Sequence, residues 1–199
     1  MKKLLIATHN DGKVRELKRM LHGLAVEIVG IDSFETDDVA ETGSTFAVNA
    51  ALKASGYARQ TGLSALADDS GLEVNALGGR PGVLSARYGG EGSSFEKKME
   101  MLLAEIGQSG SQDRRARFVS AVVLADEQGN ILETRQGTCE GRIASTPRGK
   151  RGFGYDPIFI PDGYDLTFGE LSDEIKSQIS HRGRAFREII PFLRDFIAN

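Results

Sequence analysis

The segment Leu63-Ser64-Ala65-Leu66-Ala67-Asp68-Asp69-Ser70-Gly71 joins a short apolar run to two acids, a serine and a glycine. The run predicts a strand that ends at the acids, because Asp, Ser and Gly are typical turn residues. The carboxylates also suit Mg²⁺, which proteins hold with one or two carboxylates plus substrate phosphates. If the chain instead stays extended, Asp68 and Asp69 point to opposite faces, and they cannot enter one site by the same route.

Other segments with strand or helix patterns flank this one. Strands are predicted over residues 3–8 and 26–29, and a hairpin is predicted from strands 117–126 and 131–139. Apolar spacing predicts helices over residues 13–22, from a Thr45 cap to about residue 61, over 95–106, and from Ser180 to the end, where Pro191 should kink or split the helix. This mixture predicts an α/β, or mixed α+β, fold with a mixed sheet, in one domain over residues 1–199.

Composition excludes several classes of protein. With 40% hydrophobic and 27% charged residues among 199, the chain has the usage of a globular domain. Its 28 acids against 25 basic residues leave no basic excess, so we expect no nucleic-acid partner. Apolar runs fall far short of the roughly 20 residues that a membrane span needs. Cys139 is the single cysteine, which indicates a reducing, cytoplasmic compartment.

The turn Thr8-His9-Asn10-Asp11-Gly12-Lys13 lies between a predicted strand and a predicted helix. Free backbone N–H groups at a helix start, together with the charge of Lys13, favour an anion there. The spacing differs from that of a P-loop. A plain helix-capping turn is the alternative interpretation.

Two later segments carry polar groups suited to a nucleotide. In Arg148-Gly149-Lys150-Arg151-Gly152-Phe153-Gly154-Tyr155-Asp156-Pro157, aromatic faces can stack on a base and a carboxylate can accept from ring N–H groups. A solvated basic loop and a strand with a core-facing Phe153 and Tyr155 are the alternatives. Lys176 precedes Ser180-His181-Arg182, whose donors suit a carbonyl oxygen, although Ser180 is equally a helix cap.

Taken in order along the chain, these stretches resemble the inosine triphosphate pyrophosphatase family, the Ham1-like XTP/dITP diphosphatases. The matching residues are Thr8-x-Asn10-x-x-Lys13, Glu41-Thr42-Gly43-x-Thr45-Phe46-x-x-Asn49-Ala50, Ala67-Asp68-Asp69-Ser70-Gly71-Leu72, residues 82–88 ending in Ala86-Arg87-Tyr88, Gly152-Phe153-Gly154-Tyr155-Asp156-Pro157 and Ser180-His181-Arg182.

The resemblance implies Mg²⁺-dependent hydrolysis of ITP, dITP or XTP to the monophosphate and pyrophosphate. It also implies an elongated mixed sheet with flanking helices that form two lobes around a central active-site cleft, and a homodimer. Its residue assignments follow the motifs. Thr8, His9, Asn10, Asp11, Gly12 and Lys13 would bind the triphosphate, with Lys53 as a further phosphate ligand. Glu41 and Asp69 would hold the metal, Asp69 would also be the catalytic proton acceptor, and Ser70 would contact the substrate. Phe153, Gly154, Tyr155, Asp156, Lys176, His181 and Arg182 would form the nucleoside pocket.

Three other functions stay open at this point. A nucleotide-sensing module would bind phosphates without hydrolysis, although Glu41 and the paired acids disfavour it. An RNA-binding module could use Phe153 and Tyr155 as a stacking platform, which the acidic net charge disfavours. A pyrophosphatase for other modified nucleotides would share the same phosphate chemistry.

Overall fold

The computed structural model describes residues 2–90 and 92–198. These residues form six strands: β1 Lys3–Ile6, β2 Glu27–Gly30, β3 Ala65–Val74, β4 Arg115–Ala125, β5 Ile131–Ile143 and β6 Phe159–Pro161. They also form five α-helices: α1 Asp11–Met20, α2 Phe46–Thr61, α3 Phe95–Gln108, α4 Asp173–Ile179 and α5 His181–Ala198. No helix in this described part of the chain is long and apolar enough to cross a membrane.

The strands are hydrogen-bonded in the order β2-β1-β3-β4-β5-β6. β1 runs parallel to both β2 and β3, whereas β5 and β6 are antiparallel. Parallel neighbours need a crossover connection, and α1 supplies it between β1 and β2. The predicted α/β class with a mixed sheet is confirmed.

Internal contacts divide the chain into two compact units. The first unit comprises residues 1–69, 120–137 and 182–199, and the second comprises residues 70–119 and 138–181. Each unit has its own apolar core. In the first, β1, β3 and β4 pack with α1 and α5 through residues that include Leu4, Leu17, Leu66, Val122 and Phe186. In the second, the core includes Leu72, Leu102, Phe118, Phe159 and Phe168. The predicted cleft between two lobes of one domain stays a prediction.

The structure differs from the predicted local structure at three places. β3 continues through Asp68-Asp69-Ser70-Gly71 instead of ending at a turn, because sheet pairing outweighs the turn preference of these residues. α5 is not split at Pro191, since the buried side chains of Phe186, Ile189 and Leu193 hold residues on both sides of it in the core. The alternative, a kink at Pro191, stays a prediction. The short helix α4 had no predicted counterpart.

The predicted hairpin forms, and one side chain organises its turn. Asp126 Oδ1 accepts hydrogen bonds from the backbone N–H groups of Gln128 and Asn130, at 3.0 and 2.8 Å. Its Oδ2 accepts from Asn130 Nδ2 at 2.9 Å. Asp126 N donates to the Asn130 carbonyl at 3.0 Å, which closes the turn.

Replacing Asp126 with alanine should therefore destabilise the protein. We expect Asp126→Ala to lower the free energy of unfolding by about 1–2 kcal/mol, because three hydrogen bonds are lost at a partly exposed turn. Urea unfolding measures the change. Gln128→Ala, at an exposed position of the same turn, is the matched control and should stay within about 0.5 kcal/mol of wild type. Equal stability of the two variants would contradict the prediction.

Candidate active site

The turn between β1 and α1 is a helix cap. Asn10 Oδ1 accepts from Lys13 N at 3.0 Å, and the backbone N–H of Asn10 donates to Thr8 Oγ1 at 3.2 Å. The turn therefore caps α1, and the predicted anion site at the same helix start stays a prediction. Asp11 is exposed in the first helical turn, Gly12 is buried, and the half-buried Lys13 extends its ammonium to β3.

Asp68 compensates the buried Arg182 and the half-buried Lys13 in the first unit. Its side chain is fully buried, and Oδ2 lies 2.8 Å from Lys13 Nζ and 3.2 Å from Arg182 Nη2. Arg182 Nε donates to the same oxygen at 3.3 Å, and Ser120 Oγ donates to Oδ1. Arg182 Nη1 also donates to Glu16 Oε2, at 2.5 Å. One carboxylate thus joins β3 to α1, β4 and α5.

The charges in this group shift one another's protonation. Burial opposes ionisation of Asp68, but Arg182 and Lys13 hold the pKa of Asp68 far below its usual range. Burial lowers the pKa of Lys13 even though Asp68 opposes the change. Burial also acts against the charged form of Arg182, yet Asp68 and Glu16 together raise the pKa of Arg182. Asp68 is therefore an anion that holds two cations in place.

Asp69, the next residue of β3, faces a different group. Lys53 Nζ, from α2, lies 3.1 Å from Asp69 Oδ1 and 3.2 Å from Glu41 Oε1. Burial raises the pKa of Asp69 above its ordinary value, against the charges of Lys53 and Lys13. For Lys53, burial is outweighed by Asp69 and Glu41, which raise its pKa. The separation expected of consecutive residues on an extended strand is confirmed.

The carboxylates of Glu41 and Asp69 fit a hard divalent cation. Both approach the same ammonium, and Asp69 Oδ2 is buried with no hydrogen-bond partner among the described residues. Within residues 2–90 and 92–198, no group of three or more His, Cys, Asp and Glu side chains is placed to hold a metal. A site of two carboxylates completed by substrate phosphates is the type that Mg²⁺ uses.

Another predicted phosphate ligand, His9, contacts Asp32 and Tyr57. Its Nδ1 lies 2.8 Å from Asp32 Oδ1, and its ring meets that of Tyr57 edge to face at 6.2 Å. The imidazole is half exposed. His9 therefore contacts the acidic segment after β2.

In the second unit, Asp156 brings together two of the predicted nucleoside residues. Its Oδ2 accepts from Lys176 Nζ at 2.6 Å and from the Phe153 backbone N–H at 2.7 Å. Lys176 Nζ also lies 4.8 Å from the centre of the Phe153 ring. Gly152 adopts φ +71°, and a Cβ there would lie 2.0 Å from Asp156 Oδ2. Only glycine allows this close approach.

Other predicted nucleoside residues pack in the core of the second unit. Tyr155 is buried and its hydroxyl donates to the Ser85 carbonyl at 3.0 Å. The buried His181 ring stacks on Phe118, with centroids 4.6 Å apart and planes 13° apart. The stretch around Phe153 is a turn, so the strand alternative was wrong, although its placement of Tyr155 in the core was correct. Gly154, a further predicted nucleoside residue, adopts φ +67°. Ser70, the predicted substrate contact, is half buried on β3.

The structure thus forms two groups from the predicted site residues. The first unit brings Glu41, Lys53 and Asp69 into direct contact and ties Lys13 and Arg182 to Asp68. The second unit joins Phe153, Asp156 and Lys176. Sequence reasoning left the role of Asp68 open and missed Ser120 and Glu16. A serine inside the apolar run of β4 was the available signal for Ser120, because a buried hydroxyl needs a partner.

Known proteins resemble this chain over nearly its whole length. The model of the Ham1 family matches residues 4–192. A dITP/XTP pyrophosphatase of Streptomyces avermitilis is 45% identical over 200 residues, covering 99% of this chain and 100% of the relative. That of an Exiguobacterium species is 49% identical, with 96% and 99% covered. Among solved structures, a HAM1 protein from Coxiella burnetii has 38% identity and a TM-score of 0.90, with 98% of this chain and 100% of that chain covered.

Removing the charge of Asp68 should destabilise the first unit. We expect Asp68→Asn to lower the free energy of unfolding by about 3–5 kcal/mol at neutral pH, because Lys13 and Arg182 lose their shared buried anion. Urea unfolding measures this loss. Asp162→Asn is the control. The Asp162 carboxylate is exposed and makes no hydrogen bond or ion pair among the described residues, so this substitution should change stability by less than about 0.5 kcal/mol.

The same comparison has a defined pH dependence. The folded pKa of Asp68 is lowered, so its contribution is present above the unfolded value of about 3.9 and is lost as pH falls toward the folded value. The stability difference between wild type and Asp68→Asn should therefore shrink below about pH 4. A difference that stays constant down to pH 2 would show that the charge of Asp68 is not what stabilises the fold.

Proposed function

The chain belongs to the Ham1 family, and we propose that it is a nucleoside-triphosphate pyrophosphatase that hydrolyses dITP, ITP and XTP to the monophosphate and pyrophosphate. The observation that carries the proposal is near-full-length similarity to dITP/XTP pyrophosphatases in a chain whose Glu41, Lys53 and Asp69 are in direct contact. Such an enzyme removes deaminated purine nucleotides from the nucleotide pool.

Charge placement in the first unit suits phosphoryl chemistry. Such reactions depend on positioning and charge neutralisation, because the reacting oxygens already carry negative charge. Two lysines supply positive charge: Lys53 is held by Glu41 and Asp69, and Lys13 is held by Asp68. We propose that they neutralise charge on the triphosphate and on the departing pyrophosphate.

Asp69 is the proposed proton acceptor. Its pKa is raised by burial, which makes its carboxylate a stronger base than an exposed aspartate. Its unpartnered Oδ2 is available for a proton or a ligand. Glu41 and Asp69 would hold Mg²⁺, which when bound supplies positive charge to phosphate oxygens and makes a nearby water easier to deprotonate. Asp69 then accepts the proton of the water that adds to phosphorus as the anhydride bond breaks.

The group around Asp156 is the proposed base-binding part. Phe153 offers an aromatic ring for stacking, and Lys176 places a donor beside it. Hypoxanthine and xanthine present a 6-keto acceptor, whereas adenine presents an amino donor at that position. A buried donor that meets another donor is penalised, so such a pocket rejects ATP. That His181 or Arg182 reads the base, and that both groups serve one nucleotide, stay predictions.

Two expectations about the whole protein also remain proposals. A homodimer rests on the family resemblance, and a cytoplasmic location rests on the single cysteine, Cys139. Two alternative functions are separable by pyrophosphate release. A nucleotide-sensing module releases no pyrophosphate, and a pyrophosphatase for other modified nucleotides, such as modified pyrimidine nucleotides, releases it fastest from those substrates.

A substrate panel tests the proposal directly. We expect pyrophosphate release from ITP, dITP and XTP with Mg²⁺, and a kcat/KM for ATP lower by about 10⁴ because of the mismatched donors at position 6. Coupled pyrophosphate detection measures each rate, with the same panel in excess chelator as the control. Release of inorganic phosphate without pyrophosphate, or a preference for ATP, would exclude the proposed function.

The role of Asp69 has its own test. Asp69→Asn should lower kcat for ITP by about 10²–10⁴-fold, because the amide cannot accept the proton. Nucleotide binding, measured by titration calorimetry, should be partly retained. Asp162→Asn is the matched control and should keep wild-type turnover. Near-wild-type turnover in Asp69→Asn would remove Asp69 from the mechanism.

A further inference from the structure

Glu41 lies on a segment without regular secondary structure. We call residues 35–43, which follow the 3₁₀ turn Ile31–Ser33 and precede α2, the acidic loop. Asp69, by contrast, is held in β3 by the sheet. Because a metal–carboxylate distance tolerates little error, something other than helix or strand pairing must place Glu41.

The first half of the acidic loop is bound to the end of α2. Gln60 Oε1 accepts from the Asp37 backbone N–H at 2.7 Å, and Gln60 Nε2 donates to the Asp37 carbonyl at 3.1 Å. Both polar atoms of one amide therefore hold the backbone of one loop residue. Two residues later, Val39 N lies 3.4 Å from the hydroxyl of Tyr57, one turn back along α2.

The second half of the loop continues along the same helix. Glu41 Oε1 lies 3.2 Å from Lys53 Nζ, and Asn49 Oδ1 accepts from the Gly43 backbone N–H at 2.7 Å. Every second loop residue thus contacts the next turn of α2, and the loop runs antiparallel to the helix. Every second residue faces one side in an extended chain, and residues three or four apart share one face of a helix. The helix contacts are, from loop residue 37 to residue 43, Gln60, Tyr57, Lys53 and Asn49.

Gly56 lies on this face of α2, and Val39 occupies the space where its side chain would be. A Cβ built on Gly56 would lie 2.6 Å from Val39 Cγ2 and 3.1 Å from Val39 Cγ1. A glycine inside a helix costs about 1 kcal/mol relative to alanine. Here the missing side chain lets the loop approach the helix.

We propose that α2 positions Glu41 for the divalent cation, and that Gly56 and Gln60 are the positioning residues on which this placement depends. The inference deepens the proposed function and rests on it for the identity of the cation. Only two peptide units of fixed length separate Val39 from Glu41, so few backbone torsions are available to absorb a displacement of Val39 before it reaches Glu41. A shift of about 1 Å exceeds what a Mg²⁺ ligand distance of about 2.1 Å allows.

The decisive variant is Gly56→Ala. We expect the half-saturating Mg²⁺ concentration for ITP hydrolysis to rise about tenfold, and the Mn²⁺ dissociation constant, measured by electron paramagnetic resonance without nucleotide, to rise by a similar factor. Hydrogen exchange at the Asp37 and Val39 amides should be about tenfold faster. Helix propensity alone predicts the opposite, namely a more stable α2 with unchanged metal affinity.

A double-mutant cycle identifies the cause. In the Val39→Ala background the clashing methyl groups are absent, so Gly56→Ala should change Mn²⁺ affinity by less than twofold. Gly107→Ala is the matched control, since Gly107 lies near the end of α3 with no atom close enough to meet a new Cβ. It should leave Mn²⁺ affinity and exchange at the loop amides unchanged.

Gln60→Ala provides a second route if Gly56→Ala does not fold. Gln60 is exposed, so its truncation leaves the core intact and should still speed exchange at Asp37 and weaken Mn²⁺ binding several-fold. Wild-type exchange and Mn²⁺ affinity in both variants would overturn the inference, as would a loss in Gly56→Ala that Val39→Ala does not relieve. Absence of pyrophosphate release by wild type would defeat the proposed function alone, because the exchange and Mn²⁺ measurements use no nucleotide.

Discussion

The buried carboxylate of Asp68 neutralises two cations that come from different helices of the first unit. Lys13 from α1 and Arg182 from α5 both point at it, and Ser120 from β4 donates to its other oxygen. A buried charge left without its partner costs several kcal/mol, so each of these elements is held where its side chain can reach β3. Apolar packing brings the elements together, but it is not directional. The ion pairs and hydrogen bonds to Asp68 are directional, because each donor must reach one of the two carboxylate oxygens.

Strand geometry then separates two neighbouring acids into two roles. Because β3 stays extended, Asp69 faces away from the Asp68 group and meets Lys53 and Glu41 instead. The two pKa values move in opposite directions: that of Asp68 is lowered by the cations around it, and that of Asp69 is raised by burial. A carboxylate with a lowered pKa is a stable counterion and a poor base, whereas one with a raised pKa is a stronger base. Identical residue types acquire different chemistry from the direction in which the backbone points them.

Local signals in the sequence predicted local structure well. The capping turn before α1, the Thr45 cap and the hairpin turn after β4 each depend on hydrogen bonds within a few residues, and all three form. The strand at Asp68 was predicted to end because turn propensity is also local, whereas the pairing that extends β3 comes from residues far away in the chain. The Asp68–Arg182 contact joins positions 114 apart, so no pattern of spacing can predict it. Family resemblance supplied site residues, but it left the role of Asp68 open.

The position of Glu41 could not be predicted from the sequence, because it depends on how the acidic loop lies against α2. Asn49, Lys53, Gly56, Tyr57 and Gln60 lie at helical spacing, yet that spacing has meaning only once the acidic loop is seen to lie against it. The proposed metal ligands therefore differ in local stability: Asp69 belongs to a buried strand, whereas Glu41 depends on a few hydrogen bonds near the surface. A cation that binds both favours the docked loop over an open one by mass action. If the proposed function holds, substrate phosphates and the cation complete the ordering of the acidic loop. Because α2 already holds the loop nearly in place, the entropic cost of this ordering is small.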